Sequence, residues 1–233
     1  MGGTLAVKLS TAGHDVQVAD ARGPEATRAE VLESRARAAE LTDVVQGQDV
    51  IILAIPFGAA GKLAGLLAAV SDETVVVDTS HYYPHLSGQI EAVDNGEVES
   101  VWNAEQLGRP VVKAWNAALA ETQRRDLPAG TPGRIVIPVA ADSEQARRVA
   151  MPLVDDTGFD PYDAGVLADS WRQQPNSPAY CTGLTLDELP AALAAADRVK
   201  DAAVRDSLPE RFAALPADFT LDDVVEMNRA AHR

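Results

Sequence analysis

The sequence predicts an α/β protein: a doubly wound parallel sheet with a helical C-terminal appendage. Three observations predict it. Residues 49–55 and 74–78 are apolar almost throughout, as strands buried on both faces of a parallel sheet are. Segments of helical spacing alternate with runs of this kind up to about Asp163. From about Ala164 the strand-like runs stop, which divides the chain into a sheet-bearing domain, residues 1–163, and an appendage, residues 164–233.

The elements follow in order. Leu5 and Leu9 sit at i, i+4 in a helix that Gly13 ends. Residues 15–20 form a short strand. Residues 24–40, charged and alanine-rich with Pro24 in the first turn, predict a solvent-facing helix. The buried strand 49–55, a helix over 58–70 and the strand 74–78 come next. A polar loop around His81-Tyr82-Tyr83-Pro84 leads to a helix over 99–107 and strands over 110–115 and 134–139. Asp142-Ser143-Glu144-Gln145 is a capping sequence opening a helix that Gly158 closes, before a last strand over 159–163. In the appendage, Gln173-Gln174, Pro175 and Pro178 mark a connection. Thr185-Leu186-Asp187-Glu188 opens an alanine-rich helix running to about Asp206, and Thr220-Leu221-Asp222-Asp223 opens the final one.

Composition removes several classes of function. The 233 residues carry 20 Lys+Arg against 35 Asp+Glu, a net charge of −15. Nucleic-acid and anionic-membrane partners need a cationic face, so neither is expected. Cys181 is the one cysteine, which excludes an internal disulfide and a Cys-based zinc site. The first residues lack the basic and apolar regions of a secretory signal. Residues 50–70 are interrupted by Pro56, glycines and Lys62, short of the ~20 apolar residues of a membrane span. The expectation is a soluble, cytoplasmic protein whose core is aliphatic, since aromatics make up only 5% of it.

In a dinucleotide-binding unit the first strand runs into Gly-x-Gly-x-x-Gly. The glycines allow a tight turn and close backbone approach to the phosphates at a helix N-terminus. Here Met1-Gly2-Gly3-Thr4-Leu5 leads directly into helix, and Gly2 falls where the third glycine belongs. The first strand and two glycines would then lie ahead of Met1. In the order 3-2-1-4-5-6 that strand is central, so without it two inner strands lose ladder partners, each buried orphan group costing ~1–3 kcal/mol. The working protein is therefore expected to begin about ten residues earlier, enough for a strand and its glycine turn.

Several segments together carry a resemblance: Gly2-Gly3-Thr4-Leu5, Asp20-Ala21-Arg22-Gly23-Pro24-Glu25, Leu53-Ala54-Ile55-Pro56-Phe57, Asp78-Thr79-Ser80-His81-Tyr82-Tyr83-Pro84, Lys113-Ala114-Trp115-Asn116 and Arg172-Gln173-Gln174-Pro175. From residue 2 to about residue 180 the chain resembles the F420-dependent NADP oxidoreductase family. The resemblance implies a Rossmann-type fold, NADP(H) as cofactor, and hydride transfer to or from the deazaflavin coenzyme F420 or a related small-molecule acceptor. It places Gly2, Gly3 and Thr4 at the pyrophosphate, Asp20, Ala21 and Arg22 at the adenosine ribose, and Ile55, Pro56 and Phe57 beside the nicotinamide, with Thr79 and Ser80 as further cofactor-binding residues.

Alternatives stand next to these assignments. Arg22 suits a 2′-phosphate, but a carboxylate such as Asp20 ordinarily accepts the free hydroxyls of NAD, so NAD stays open. Phe57 is either a cofactor contact or a core aromatic. Asn116 is either a hydrogen-bonding group for the acceptor ring, as the resemblance implies, or a helix N-cap. Trp171, Arg172 and Tyr180 form either a flat cationic acceptor surface or tail packing. His81 and His85 have metal-like spacing, but Pro84 between them opposes the helix that would align them, and no metal is expected. His81 stands where the family more often has asparagine, which leaves its role open.

No catalytic side chain is assigned, because in direct hydride transfer the cofactors carry the chemistry. The other readings are a reductase of an imine, small ketone or flavin, and a nucleotide-binding protein without turnover. Homodimerisation through the helical tail is a further expectation.

Overall fold

The computed structural model describes residues 1–233. Seven strands lie in three parallel pieces. β1 (Gln17–Val18) pairs with β2 (Arg37–Ala38); β3 (Val50–Leu53), β4 (Val75–Asp78) and β5 (Val112–Lys113) form the middle; β6 (Val136–Val139) pairs with β7 (Asp160–Asp163). A single antiparallel bridge, Lys113 with Ala140, joins β5 to β6, so β6 and β7 run against the rest. The doubly wound architecture is as expected; the reversed outer pair is an addition.

Alternation along β4 shows how the sheet buries both faces. Val77 joins Leu5, Ile137, Val154 and Phe159 on one side, under α1 (Gly2–Thr11) and α7 (Glu144–Asp156). Its neighbour Val76 joins Leu53, Leu67, Leu107 and Val111 on the other, under α3 (Ala64–Leu67) and α6 (Glu99–Leu107). Successive strand side chains point to opposite faces, so a strand buried twice must be apolar at every position. The Ser143 hydroxyl accepts from the Ala146 amide at 3.2 Å and caps α7 as predicted.

The predicted helix over 58–70 shortens to a turn at Ala60–Leu63 and the four-residue α3, and two other predicted helices are broken. Residues 24–40 give only a turn at Pro24–Ala26 and a short α2 (Ala29–Glu33), after which Arg35 turns left-handed at φ 78°. The chain then becomes β2, because the Arg37 and Ala39 amides donate to Val16 and Val18 at 2.9 Å. Here sheet pairing overrides helix propensity. The second break splits the alanine-rich tail helix into α8 (Leu189–Ala194) and α9 (Arg198–Asp206). Asp197 caps α9 by accepting from the Val199 and Lys200 amides, both at 2.9 Å.

The short helices α4 (Pro84–Ser87) and α5 (Glu91–Asp94) follow β4, and α10 (Leu208–Ala213) and α11 (Leu221–Ala230) close the chain. Thr220 and Asp223 form a reciprocal capping box on α11. The appendage packs on the sheet domain: Tyr180, Cys181 and Leu208 with Tyr83 and Ala117, and Leu189 with Val136. No helix is long and apolar enough to cross a membrane.

β1 and β3 do not pair. Between them runs a cavity of about 580 Å³, lined by both strands and by Leu5 and Leu9 of α1. This is the position of the central strand in the order 3-2-1-4-5-6.

Candidate active site

The cavity continues to the carboxyl ends of β1 and β3, where open α/β sheets bind ligands. Gly2, Gly3, Asp20, Arg22, Arg28 and Ile55 line it there. The two glycines are required by close approach. A Cβ on Gly2 would lie 3.0 Å from that of Ala54, and one on Gly3 would lie 2.5 Å from an Arg28 nitrogen and 3.2 Å from Val31. Gly2 lets α1 begin against Ala54, and Gly3 leaves room for the Arg28 side chain at the start of that ten-residue helix, an end that suits a phosphate.

Arg22 grips Asp20. Its backbone amide and Nε donate to Oδ1 at 3.0 and 2.9 Å, and its second nitrogen donates to Oδ2 at 3.0 Å. The side-chain bonds of Arg22 are the largest cause that holds the Asp20 carboxyl down to about 2. The carboxylate that would oppose a 2′-phosphate therefore arrives already paired with a cation, and the Arg22 side chain is 74% exposed. Arg28 is the cation sequence reading missed. Its signal was weak, because a charged residue in a presumed solvent-facing helix looks ordinary. Like Arg22, Arg28 is paired with a carboxylate, that of Glu30 at 3.0 Å, so the site offers guanidinium donors more than net positive charge.

The other predicted residues divide. Ile55 lines the cavity, whereas Thr4 and Ala21 do not. Pro56 is exposed. Phe57 is buried, stacked on Trp102 at 5.2 Å and tilted against Tyr82 at 5.3 Å, the position of a core aromatic. The hydroxyl and amide of Thr79 are spent on the Leu53 carbonyl, at 3.1 and 3.2 Å. Asn116 is 1% exposed; its amide nitrogen donates to the Gln173 carbonyl at 2.8 Å, and its oxygen accepts from the Gln173 side chain at 3.2 Å. Both ends of Asn116 are therefore engaged inside the protein. The guanidinium groups of Arg172 and Arg198 both lie over the Trp171 ring, 4.4 and 4.6 Å from its centroid. Tyr180 is not beside them but packs with Tyr83 and His81.

Ser80 belongs to a buried polar group at the ends of β4 and β5. In that register Asp78 stands opposite Lys113. Lys113 Nζ donates to Asp78 Oδ2 at 2.9 Å and to the Ser80 carbonyl. The Ser80 amide and hydroxyl donate to Asp78 Oδ1 at 2.9 and 2.6 Å, and Asn103 donates to both Asp78 and Ser80. Glu99 is fully buried beside this group; Oε2 accepts from the Tyr82 amide at 3.1 Å, Oε1 has no partner, and burial pushes its carboxyl up to about 7. A lysine inside an otherwise apolar strand, next to a strand ending in aspartate, was the available signal.

Residues 1–82 match the family model described as NADP oxidoreductase, coenzyme F420-dependent. Over 104 residues the chain is 39% identical to the protein YjhV of Escherichia coli strain K12, spanning 45% of this chain and 76% of that one. The chain belongs to this family. F420-dependent NADP oxidoreductases share the nucleotide-binding architecture described above, and membership makes the protein an NAD(P)-dependent oxidoreductase with a Rossmann-type fold. A solved structure of the hypothetical protein SMa0349 from Sinorhizobium meliloti superposes with a TM-score of 0.61 at 30% identity, covering 72% of this chain and 82% of that one. An F420-dependent NADP-reductase structure from Arthrobacter sp. FB24 superposes with a TM-score of 0.55 at 21% identity, again over 72% and 82%, a likeness of fold.

Proposed function

We propose that this oxidoreductase uses NADP(H) and passes hydride between it and a deazaflavin of the F420 type. The observation that carries the cofactor choice is the Asp20–Arg22 pair, whose three hydrogen bonds cancel the one charge that would repel a 2′-phosphate. Gly2 and Gly3 would admit the pyrophosphate to the start of α1, with Arg22 and Arg28 supplying guanidinium hydrogen-bond donors. Ile55 would cover the nicotinamide end and keep water from it. When bound, the nicotinamide supplies the hydride, and the chain's own task is to bind and align the two partners.

Titration of the chain with NADPH and with NADH tests the cofactor, and a preference for NADH defeats the proposal. Turnover of NADPH with F420, a flavin, an imine and a small ketone tests the acceptor. Oxidation of NADPH by F420 alone supports the deazaflavin reading. Oxidation by one of the others reassigns the acceptor. Tight NADPH binding with no turnover makes the chain a binding protein.

A further inference from the structure

His81 follows Ser80 directly, so its backbone enters from a point fixed on several sides. Lys113 holds the Ser80 carbonyl, Asp78 holds its amide and hydroxyl, and Asn103 holds the hydroxyl as well. A buried ammonium and carboxylate are costly unless each is fully bonded, which makes this arrangement rigid. The imidazole it carries is the opposite case. Nδ1 of His81 is buried and has no hydrogen-bond partner. Most buried polar atoms are bonded, so an unpartnered ring nitrogen calls for an explanation.

The surroundings of the ring are built and not loose. It meets Tyr83 and Tyr180 edge-on at 5.5 and 6.1 Å. Asn176 donates to the Tyr83 hydroxyl at 3.4 Å, and Asn176 is left-handed at φ 61°, as are Trp115 at 60° and Cys181 at 55°. All three are buried non-glycine residues on the segments that enclose the ring or its lysine. Strained backbone of this kind gathers at functional sites. The place is the carboxyl end of β4, on the side of the sheet where ligands bind.

We propose that His81 is a catalytic residue that hydrogen-bonds the acceptor at the polar atom conjugated with the carbon that takes the hydride. This rests on the oxidoreductase reading above. The acceptor gains a C–H bond and the electron pair of the hydride, while the cofactor is oxidised. Negative charge then builds on a carbonyl oxygen or ring nitrogen of the acceptor, where Nε2–H donates, Nδ1 being closed off and unprotonated in the neutral ring, and solvent supplies the net proton. Burial above all, and then the charge of Lys113, lower the pKa of His81 to about 4 against an opposing pull from Asp78. The ring is therefore an uncharged donor at neutral pH, a state able to polarise a carbonyl. The charges acting on it are Lys113 on β5 and Asp78 on β4; Tyr83 and Tyr180 meet its ring, and Cys181 and Glu99 act on those two tyrosines.

Three variants and one spectroscopic measurement test this. His81→Phe is expected to lower kcat for acceptor reduction at least ~10-fold, the loss of one such bond at a developing charge, with NADPH affinity unchanged. His81→Asn and His81→Gln, which keep an N–H donor, are expected to recover part of the rate. Full activity in His81→Phe, or equal losses in all three variants, overturns the proposal. Ring NMR of the wild-type chain, with His81→Phe for assignment, is expected to show His81 uncharged down to about pH 4. Titration near the ordinary value of ~6.5 overturns the proposal without any acceptor assay. If the wild-type chain reduces no acceptor, the oxidoreductase reading fails and takes the proposal with it, an outcome distinct from activity that survives loss of the imidazole.

Discussion

The ammonium of Lys113 and the carboxylate of Asp78 lie 2.9 Å apart with their side chains 0% and 2% exposed, opposite each other as the last residues of β5 and β4 in the middle of the sheet. They form the buried charge pair on which the loop after β4 is hung. Burial alone would raise the Asp78 pKa, but Lys113 and Ser80 outweigh it and hold the carboxyl below its ordinary value.

Lys113→Met is therefore expected to cost ~3–5 kcal/mol of folding stability, because it leaves a buried carboxylate without its counter-ion. The double variant Asp78→Asn, Lys113→Met is expected to recover a large part of that loss, since no charge is then stranded. Urea unfolding of the three chains checks both. A double variant no more stable than the single one would mean the pair matters for shape and not for charge.

Glu99 gives a pH dependence whose direction is fixed. Its folded pKa, about 7, lies above the ordinary carboxyl value of 4.5. Between these values the folded state holds a proton that the unfolded state has released, so stability falls as pH rises through this window. The contribution is complete below the unfolded value and gone above the folded one. At ~1.4 kcal/mol per unit it amounts to roughly 3–4 kcal/mol. Glu99→Gln is expected to flatten the dependence of unfolding free energy between pH 5 and 7, as measured by denaturation at a series of pH values.

Replacing Arg22 by Ala is expected to weaken NADPH binding ~10-fold, one charge-assisted contact, and NADH binding less than ~2-fold. Asp20→Asn is expected to move NADPH affinity the other way, because the arginine is released from its carboxylate. Fluorescence titration with both nucleotides checks the pair of effects, and equal losses for NADPH and NADH in Arg22→Ala would remove Arg22 from the 2′-phosphate.

The cleft between β1 and β3 makes the fourth prediction. Its walls are the unpaired edges of two parallel strands, and its lining is mostly apolar. A chain carrying an apolar strand and a Gly-x-Gly turn ahead of Met1 is expected to show a higher Tm and tighter NADPH binding than residues 1–233, since paired backbone groups replace orphans worth ~1–3 kcal/mol each. Scanning calorimetry checks it, and an unchanged Tm would show that the cleft does not take a strand.

Much of this was legible in the sequence. The continuous apolar runs of β3 and β4 announced a parallel sheet, because strands buried on two faces have no polar positions to spare. Gly2, Gly3 and Arg22 carried the expectation of an anion site, because a helix start and a cation at a strand end both suit a phosphate. What the tertiary structure decided was where paired groups spend their bonds. Residues 24–40 have helix propensity, but the ladder with β1 claims the amides of Arg37 and Ala39. Phe57 and Asn116 have the chemistry of ligand contacts, but a stacking partner in Trp102 and an amide partner in Gln173 turn them inward. The lock of Lys113, Asp78 and Ser80, and the unpartnered imidazole of His81 beside it, depend on which strand ends become neighbours. Local spacing determines an element and its buried faces, whereas the partner of a buried charge is chosen only when distant segments meet.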